Sequence, residues 1–377
     1  LRKLRARAIQ AISGQIKEAC EKADVSPEHI YKVVVVGNTA MHHIFLGIDP
    51  TYIGLAPYSP SIRDAIEMPA RDLLLKTIPN AIVCMLPIVA GFVGADAMGA
   101  VLATRIFESE EIRVLIDIGT NGEVIMGHKG KLMACSAPAG PALEGAQIKH
   151  GMRGANGAIE KVHIDDDVIC ETIGNAPATG ICGSGLIDAA ANMLKSGVLQ
   201  SSGRLRDKDD EILAPALAAR LSGSGGKAEF VLVYAEESGK DEDITLTQDD
   251  IRQLQLAKGA IYSGILMLQK IMEVSDEDLA ELQLAGGFGN YINTASAVAI
   301  HLLTPLPLEK ITYVGNAALM GAEMALISET ERKRADSLAK EIEHVSLAAR
   351  MDFQDIFIEA MGFPETKTDE PIAKTGT

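Results

Sequence analysis

Apolar residues at Ile9, Ile12, Ile16 and Cys20 recur at helical spacing, so the chain opens on an amphipathic helix. The unbroken valine run at 33–36, after Ser26-Pro27, reads as a strand in a sheet covered on both faces. Asn38-Thr39 then caps a helix carrying Met41 to Phe45. Most of 47–80 is a Pro-rich excursion, 82–88 reads as a strand, and 94–106 reads as a helix.

Beyond this point the period shortens. Residues 112–118 form a strand pattern, 119–123 a tight turn, and 124–126 and 131–136 two further strands. Asn121-Gly122 between apolar runs is a strong hairpin signal. The stretch 137–180 is loop-rich with short strands, and Gly183-Ser184-Gly185 begins a helix through Leu194. Residues 200–245 are charged and rich in Ser and Gly, which suggests an insertion with flexible parts near 223–226. Thr247 with Asp250 forms a capping-box pattern opening a long helix marked by Ile251, Leu254, Ile261, Ile265 and Leu268. A strand at 282–285, Gly286-Gly287 and a strand–helix pair from Ile311 complete the pattern, and the polar tail, 366–377, is expected to be disordered.

Two phrases recur in the same order. The stretch 24–37, with a Ser, early acidic residues and an apolar strand ending at Gly37, is echoed at 273–286, ending at Gly286. The stretch 94–103 is echoed at 316–325, with half of the aligned positions identical. A duplicated α/β unit implies two similar halves with a cleft between them. The second half opens on three strands, whereas nothing precedes the opening helix of the first. About three strands are therefore expected upstream of Leu1, which is not Met, so the sequence reads as part of a longer chain.

Composition narrows the function more than the fold. Hydrophobic residues at 47% with 23% charged fit a globular protein with a sizeable core. A formal charge of −16 argues against nucleic-acid or anionic-membrane surfaces, and no run is long enough to span a bilayer. Five cysteines without a C-x-x-C pair suggest a reducing, cytoplasmic setting.

The sharpest candidate chemistry is Asp117-Ile118-Gly119-Thr120-Asn121-Gly122-Glu123. Gly119 and Gly122 let backbone approach an anion, Thr120 and Asn121 offer donors, and Asp117 is placed to hold Mg²⁺ through water. The plain alternative is a hairpin turn whose Asp is satisfied by backbone. Gly286-Gly287-Phe288-Gly289-Asn290 would let a nucleotide lie against backbone with Asn290 as polar anchor, or be a packing turn. Gly183 and Ser184 at a helix start are candidates for phosphate or ribose, against simple close helix packing. Asn38 is an N-cap or a water-positioning group; Asp96, and more weakly Glu144, are carboxylates that would face the cleft. His42 and His43, adjacent on a helix, diverge and are assigned to structure.

These motifs resemble the superfamily of acetate and sugar kinases, heat-shock chaperone ATPases and actin. More narrowly, residues 36–43, 46–50, 94–96, 117–123, 180–186, 255–258 and 284–290 are similar to the reductive activators of corrinoid proteins, and the likeness extends to Met361-Gly362-Phe363-Pro364. The resemblance implies a duplicated ribonuclease-H-like, actin-like two-lobed α/β fold. Residues 1–110 would form the first subdomain, incomplete at its start, and 111–365 the second, with insertions at 137–180 and 200–245.

It also implies an ATPase, with ATP and Mg²⁺ as cofactors, that drives reduction of a Co(II) corrinoid iron–sulfur protein to Co(I). No iron–sulfur cluster is expected in this chain; a 2Fe-2S centre would sit in an upstream domain. Gly119, Thr120 and Asn121 would form the second phosphate loop, and Gly286, Gly287, Phe288 and Asn290 the adenosine region. Asn38, Asp96 and Asp117 are the candidates to orient the attacking water. The helices at 94–106 and 316–327 would connect the lobes, and a homodimer is conceivable. The alternatives are a small-molecule kinase, a radical-dehydratase activator with a cluster at Cys135 or Cys182, and a non-hydrolysing docking module.

Overall fold

A computed structural model of the chain describes residues 1–76, 78–287 and 289–366, so Phe288 and the tail at 367–377 lie outside the described residues. Helix α1 (Arg2–Ala23) buries Ile9 and Cys20 and is closed by Asp24 in the left-handed region, φ 52°. A 3-10 turn, Pro27–His29, leads into β1 (Lys32–Val35), and α2 (Thr39–Leu46) follows. β2 (Ile66–Pro69) and β3 (Ile82–Met85) complete a three-stranded sheet in the order β1-β3-β2, with β1 and β3 parallel. β3 stops short of the predicted residue 88, before Pro87. Helix α3 (Ala95–Thr104) closes this part.

The larger sheet begins with the hairpin β4 (Ile112–Ile118) and β5 (Gly122–His128), then β6 (Lys131–Ala137). β7 (Ala158–Ile164), β8 (Val168–Thr172) and β9 (Gly180–Ile181) make a separate sheet covered by α4 (Gly183–Lys195). After α5 (Pro215–Ala219), β10 (Leu221–Ser222), β11 (Glu229–Val233) and β12 (Ile244–Thr247) form a fourth, antiparallel one. The stretch expected to contain flexible parts is thus a small sheet. Gly223 (φ 70°) makes its turn, with a Cβ site 2.1 Å from the Lys227 carbonyl oxygen.

Helix α6 (Gln248–Met272) starts at the anticipated capping box: Thr247 Oγ1 accepts from Asp250 N, and the Asp250 carboxylate accepts from Thr247 N at 2.9 Å. β13 (Leu279–Ala285), α7 (Thr294–Ala299), β14 (Ile311–Gly315) and α8 (Ala317–Ile327) follow. The sequence reading did not foresee α9 (Glu329–Glu341), β15 (Glu343–His344) or α10 (Phe353–Met361). The six-stranded sheet runs β14-β13-β4-β5-β6-β15.

Its two faces pack on different cores because side chains alternate. Val114, Ile116 and Val124 face a cluster with α4 and α6, whereas Leu115, Ile125 and Ala134 face one built from α3, α8 and α9. A third cluster, with Ile9, Phe45, Leu73 and Val83, sits under α1 and α2.

Both echoes are structural. Asp24 and Glu273 hold the same left-handed cap, φ 52° and 57°, and the strands that follow each lie parallel to the next strand of their sheet. Helices α3 and α8 pack against each other, and the echoed glycines lie at their contact: a Cβ on Gly321 would stand 1.9 Å from the Gly99 oxygen.

One reading needs correction, and one echo is incomplete. The valine strand does touch a core on each face, yet all of β1 is only half-buried, because it lies at the edge of its sheet. Ser26 makes no side-chain cap, whereas Ser275 forms a full capping box with Asp278; the third position after Ser26 is His29, which has no carboxylate to return the bond.

Candidate functional site

Three carboxylates from different elements meet where the two echoed units face each other. Asp117 ends β4, and Glu123 sits directly across from it in the β4–β5 ladder, so both project to one face of the sheet. Asp96, in the first turn of α3, comes from the other unit. Gly94 allows that approach: its Cβ site lies 2.7 Å from Asn38 Cα and 2.8 Å from the Gly37 oxygen, and the Gly37 carbonyl accepts from Ala95 N at 3.0 Å.

The group is electrostatically unusual. Burial, reinforced by Asp96, pushes the Asp117 carboxyl up to about 6. Burial and then the two aspartates raise Glu123 well above its ordinary value, and burial also raises Asp96. No Lys, Arg or His among the described residues pairs with any of the three. Ser136 Oγ donates to Glu123 at 3.4 Å and Ala97 N to Asp96 at 2.9 Å, whereas Asp117 makes no side-chain hydrogen bond among the described residues. Glu123 escaped the sequence reading as a site residue; the strand alternation that pairs it with Asp117 was the available signal.

The hairpin loop is tighter than expected. Gly119 N donates to the Asn121 oxygen at 3.0 Å, so that amide is used inside the turn and Thr120 and Asn121 remain as the loop's donors. Gly122 is held against α6, its Cβ site 2.7 Å from Ile261 Cγ1. The Thr120 hydroxyl donates to Glu144 Oε1. Gly286 takes φ 90° and presses on Asp117, its Cβ site 2.5 Å from Oδ1, which joins the Gly-Gly motif to the carboxylates. Gly287 is exposed; Asn290 falls in the turn Gly289–Tyr291, and its side chain lies outside the described residues.

A cavity of about 440 Å³ opens beside this loop, with Leu143, Met152, Ile173 and Tyr291 as walls and Glu144, Arg153, Gly183 and Ser184 as polar edge. The packing reading of the Gly183–Gly185 turn holds at Gly185, and the other two residues face the open space of the cavity. Gly183 and Ser184 line the cavity at the start of α4, while Gly185 is a packing residue with its Cβ site 2.2 Å from the Ile159 oxygen.

Asn38 is brought beside Asp96, but its Oδ1 caps α2 by accepting from Met41 N at 2.8 Å. His43 is structural, bonded to the Thr39 oxygen and to Ser61 N. His42 is buried with neither ring nitrogen partnered among the described residues, and burial followed by His43 lowers it to about 4. Cys135 and Cys182 are buried, and burial pushes the Cys135 thiol up, so neither presents a surface thiolate for a shared cluster.

Among the described residues no three His, Cys, Asp or Glu side chains converge closely enough to cage a metal directly. Magnesium fits a looser arrangement, in which one or two carboxylates hold it through water and substrate phosphates supply other ligands. Asp117 and its neighbours suit that arrangement.

Two α/β units joined at crossing helices, with a strand–turn–strand loop and a Gly-Gly strand end between them, define the actin-like ATPase class. The match is explicit: residues 111–373 fit the family model described as the C-terminal domain of RACo, the ASKHA domain, and 1–109 fit the RACo middle region. The chain belongs to the RACo family.

Among similar proteins, the corrinoid activation enzyme RamQ of Eubacterium limosum is 35% identical over 360 residues, covering 95% of this chain and 60% of RamQ. The Co(II) methylated amine-specific corrinoid protein reductase of Methanosarcina barkeri is 25% identical, covering 93% of this chain and 66% of its own length. A solved reductive activator for corrinoid, iron–sulfur protein superposes with a TM-score of 0.84 at 38% identity, covering 97% of this chain and 57% of that one. The chain thus spans less than two thirds of the length of these relatives. No helix among the described residues is long and apolar enough to cross a membrane.

Proposed function

We propose that this chain is the nucleotide-driven part of an activator that promotes reduction of a Co(II) corrinoid protein to Co(I). The observation that carries the reading is Asp117: a half-buried carboxylate with no side-chain hydrogen bond among the described residues, raised to about 6, between Gly286 and the 119–122 loop, whose Thr120 bonds Glu144 at the cavity edge. Unpaired buried carboxylates are costly and are kept where a ligand completes them. The named activities of the relatives supply the corrinoid partner.

In this reading ATP lies with its base in the 440 Å³ cavity and its phosphates toward Thr120 and Asn121. Bound Mg²⁺ would neutralise phosphate charge beside the three carboxylates. In hydrolysis a water oxygen bonds to the terminal phosphorus as the bond to the bridging oxygen breaks, and the water's proton passes to a carboxylate. Asn38 Oδ1 and one oxygen of Asp96 are already engaged, which leaves Asp117 best able to orient that water. Residues 1–110 and 111–365 would act as the two lobes, with α3 and α8 as connectors. Nucleotide can shift the partner-binding form only as far as it prefers the closed cleft.

The test is a calorimetric titration of the full-length protein with Mg-ATP beside an Asp117→Ala variant, followed by Co(I) formation on a corrinoid protein. Saturable binding lost in the variant, together with ATP-dependent Co(I) formation, is the expected outcome. Equal binding by both proteins would remove Asp117 from the site, and Co(I) formation indifferent to ATP would leave a docking role.

A further inference from the structure

Glu144 belongs to none of the roles assigned above, yet it touches the centre of the site. It ends the 3-10 turn Ala142–Glu144, lines the 440 Å³ cavity, and accepts the Thr120 hydroxyl proton across 24 positions of sequence. In the nucleotide reading Thr120 is a phosphate-facing donor of the loop, and its hydroxyl is taken up by Glu144. A carboxylate and a phosphate oxygen are chemically similar partners for a hydroxyl: both are anionic acceptors, and one proton serves one of them at a time.

We infer that Glu144 is a built-in phosphate mimic, an internal competitor that a polyphosphate must displace from Thr120. The inference rests on the nucleotide reading of this cavity. Three observations bear on how displacement works. Glu144 is exposed and makes no ion pair among the described residues, although Arg153 lines the same cavity. The loop that carries it is closed on itself: a Cβ on Gly145 (φ 77°) would lie 2.3 Å from the Met152 oxygen, and one on Gly151 would lie 2.1 Å from the Gly145 oxygen. The loop therefore has little room to withdraw, and release is a rotation of the Glu144 side chain into solvent. The Gly119 amide is already used within its own turn, so the Thr120 hydroxyl is one of few donors for which the two anions contend.

The consequence is selectivity by phosphate number. A ligand whose phosphates reach Thr120 meets a like charge and must dislodge it, whereas a monophosphate held near the ribose leaves the contact in place. Neutralising Glu144 removes the competition without removing bulk.

Calorimetry on the full-length protein, wild type, Glu144→Gln and Glu144→Ala, with Mg-ATP and with AMP, tests this. Glu144→Gln is expected to bind Mg-ATP about fivefold tighter, the size of one exposed like-charge contact, with AMP affinity unchanged. Weaker Mg-ATP binding in both variants would overturn the mimic and make Glu144 a ligand-binding acceptor. Equal gains for Mg-ATP and AMP, or no change in either variant, would also overturn it while leaving the nucleotide site standing. Absence of binding to every protein, wild type included, would remove both readings together. Because the side chain is exposed, folding is not at stake in either variant.

Discussion

The two echoed units share their order of elements and differ in what surrounds them. β13 lies between β4 and β14, and Leu282, Leu284 and Ala285 are fully buried; β1 has β3 on one side only and is half-buried throughout. The strand ends diverge as well. At Gly286 the backbone adopts φ 90° and carries Asp117 against it, whereas the echoed Gly37 leads into Asn38 and the capped helix α2. One copy of the turn presses on the carboxylate of Asp117, and the other starts a helix and packs against Gly94, next to Asp96. Duplication fixes the scaffold, and burial and local backbone make the two copies of the turn different.

The comparison breaks most severely at the helix crossing. Gly321→Ala would drive a Cβ to 1.9 Å from the Gly99 oxygen, and Gly99→Ala to 2.6 Å from the Ala318 oxygen. Gly321→Ala should cost about 3 kcal/mol or more and Gly99→Ala somewhat less, read from urea midpoints. A wild-type midpoint for Gly321→Ala would mean the crossing can open freely.

Strand burial gives the next contrast. Leu282→Ala should cost about 3 kcal/mol and the echoed Val33→Ala about 1 kcal/mol, and equal losses would erase the asymmetry between the strands. Acid should then act on the first unit. His42 is lowered to about 4 in the fold, so its contribution is fully present above its unfolded value near 6.5 and is lost as pH falls from there toward 4. Its replacement by Phe should flatten that limb of the stability–pH curve by about 2 kcal/mol; an unchanged curve would absolve His42.

The Asp117 carboxylate works in the opposite sense. Asp117 is raised, so the fold gains stability as pH falls through about 6 toward the unfolded value. Asp117→Asn should therefore stabilise by about 1 kcal/mol at neutral pH while nucleotide binding falls, and a destabilised Asn variant would contradict the unpaired charge. The smallest effect separates the caps: Ser275→Ala should cost about 1 kcal/mol and Ser26→Ala close to none, measured by thermal unfolding.

Much of this was legible. Strong periodicity gave α1, α6 and the β4–β5 hairpin, and repeated Met-Gly-Ala at 98–100 and 320–322 marked the helices that cross. The 117–123 motif marked the hairpin turn beside the candidate carboxylates because Gly and Asn restrict a turn sharply. What escaped depends on neighbours distant in sequence. The half-burial of β1 follows from sheet order, Glu123 joins the site through cross-strand pairing, and the Thr120–Glu144 bond depends on a loop 24 residues away. Helix α9 was missed because its charged residues hide the sparse buried stripe of Ala335, Leu338 and Ala339.

The glycine crossing also sets a mechanical ratio. Asp96 is three residues from Gly99, a lever arm of about 4.5 Å, whereas Ile327 is six residues from Gly321, about 9 Å. Turning one helix on the other by about ten degrees would shift the first by about 0.8 Å and the second by about 1.6 Å. Asp96 sits near that fulcrum and would move about half as far as the rim at Ile327. A hinge placed there would carry motion outward with little displacement of Asp96.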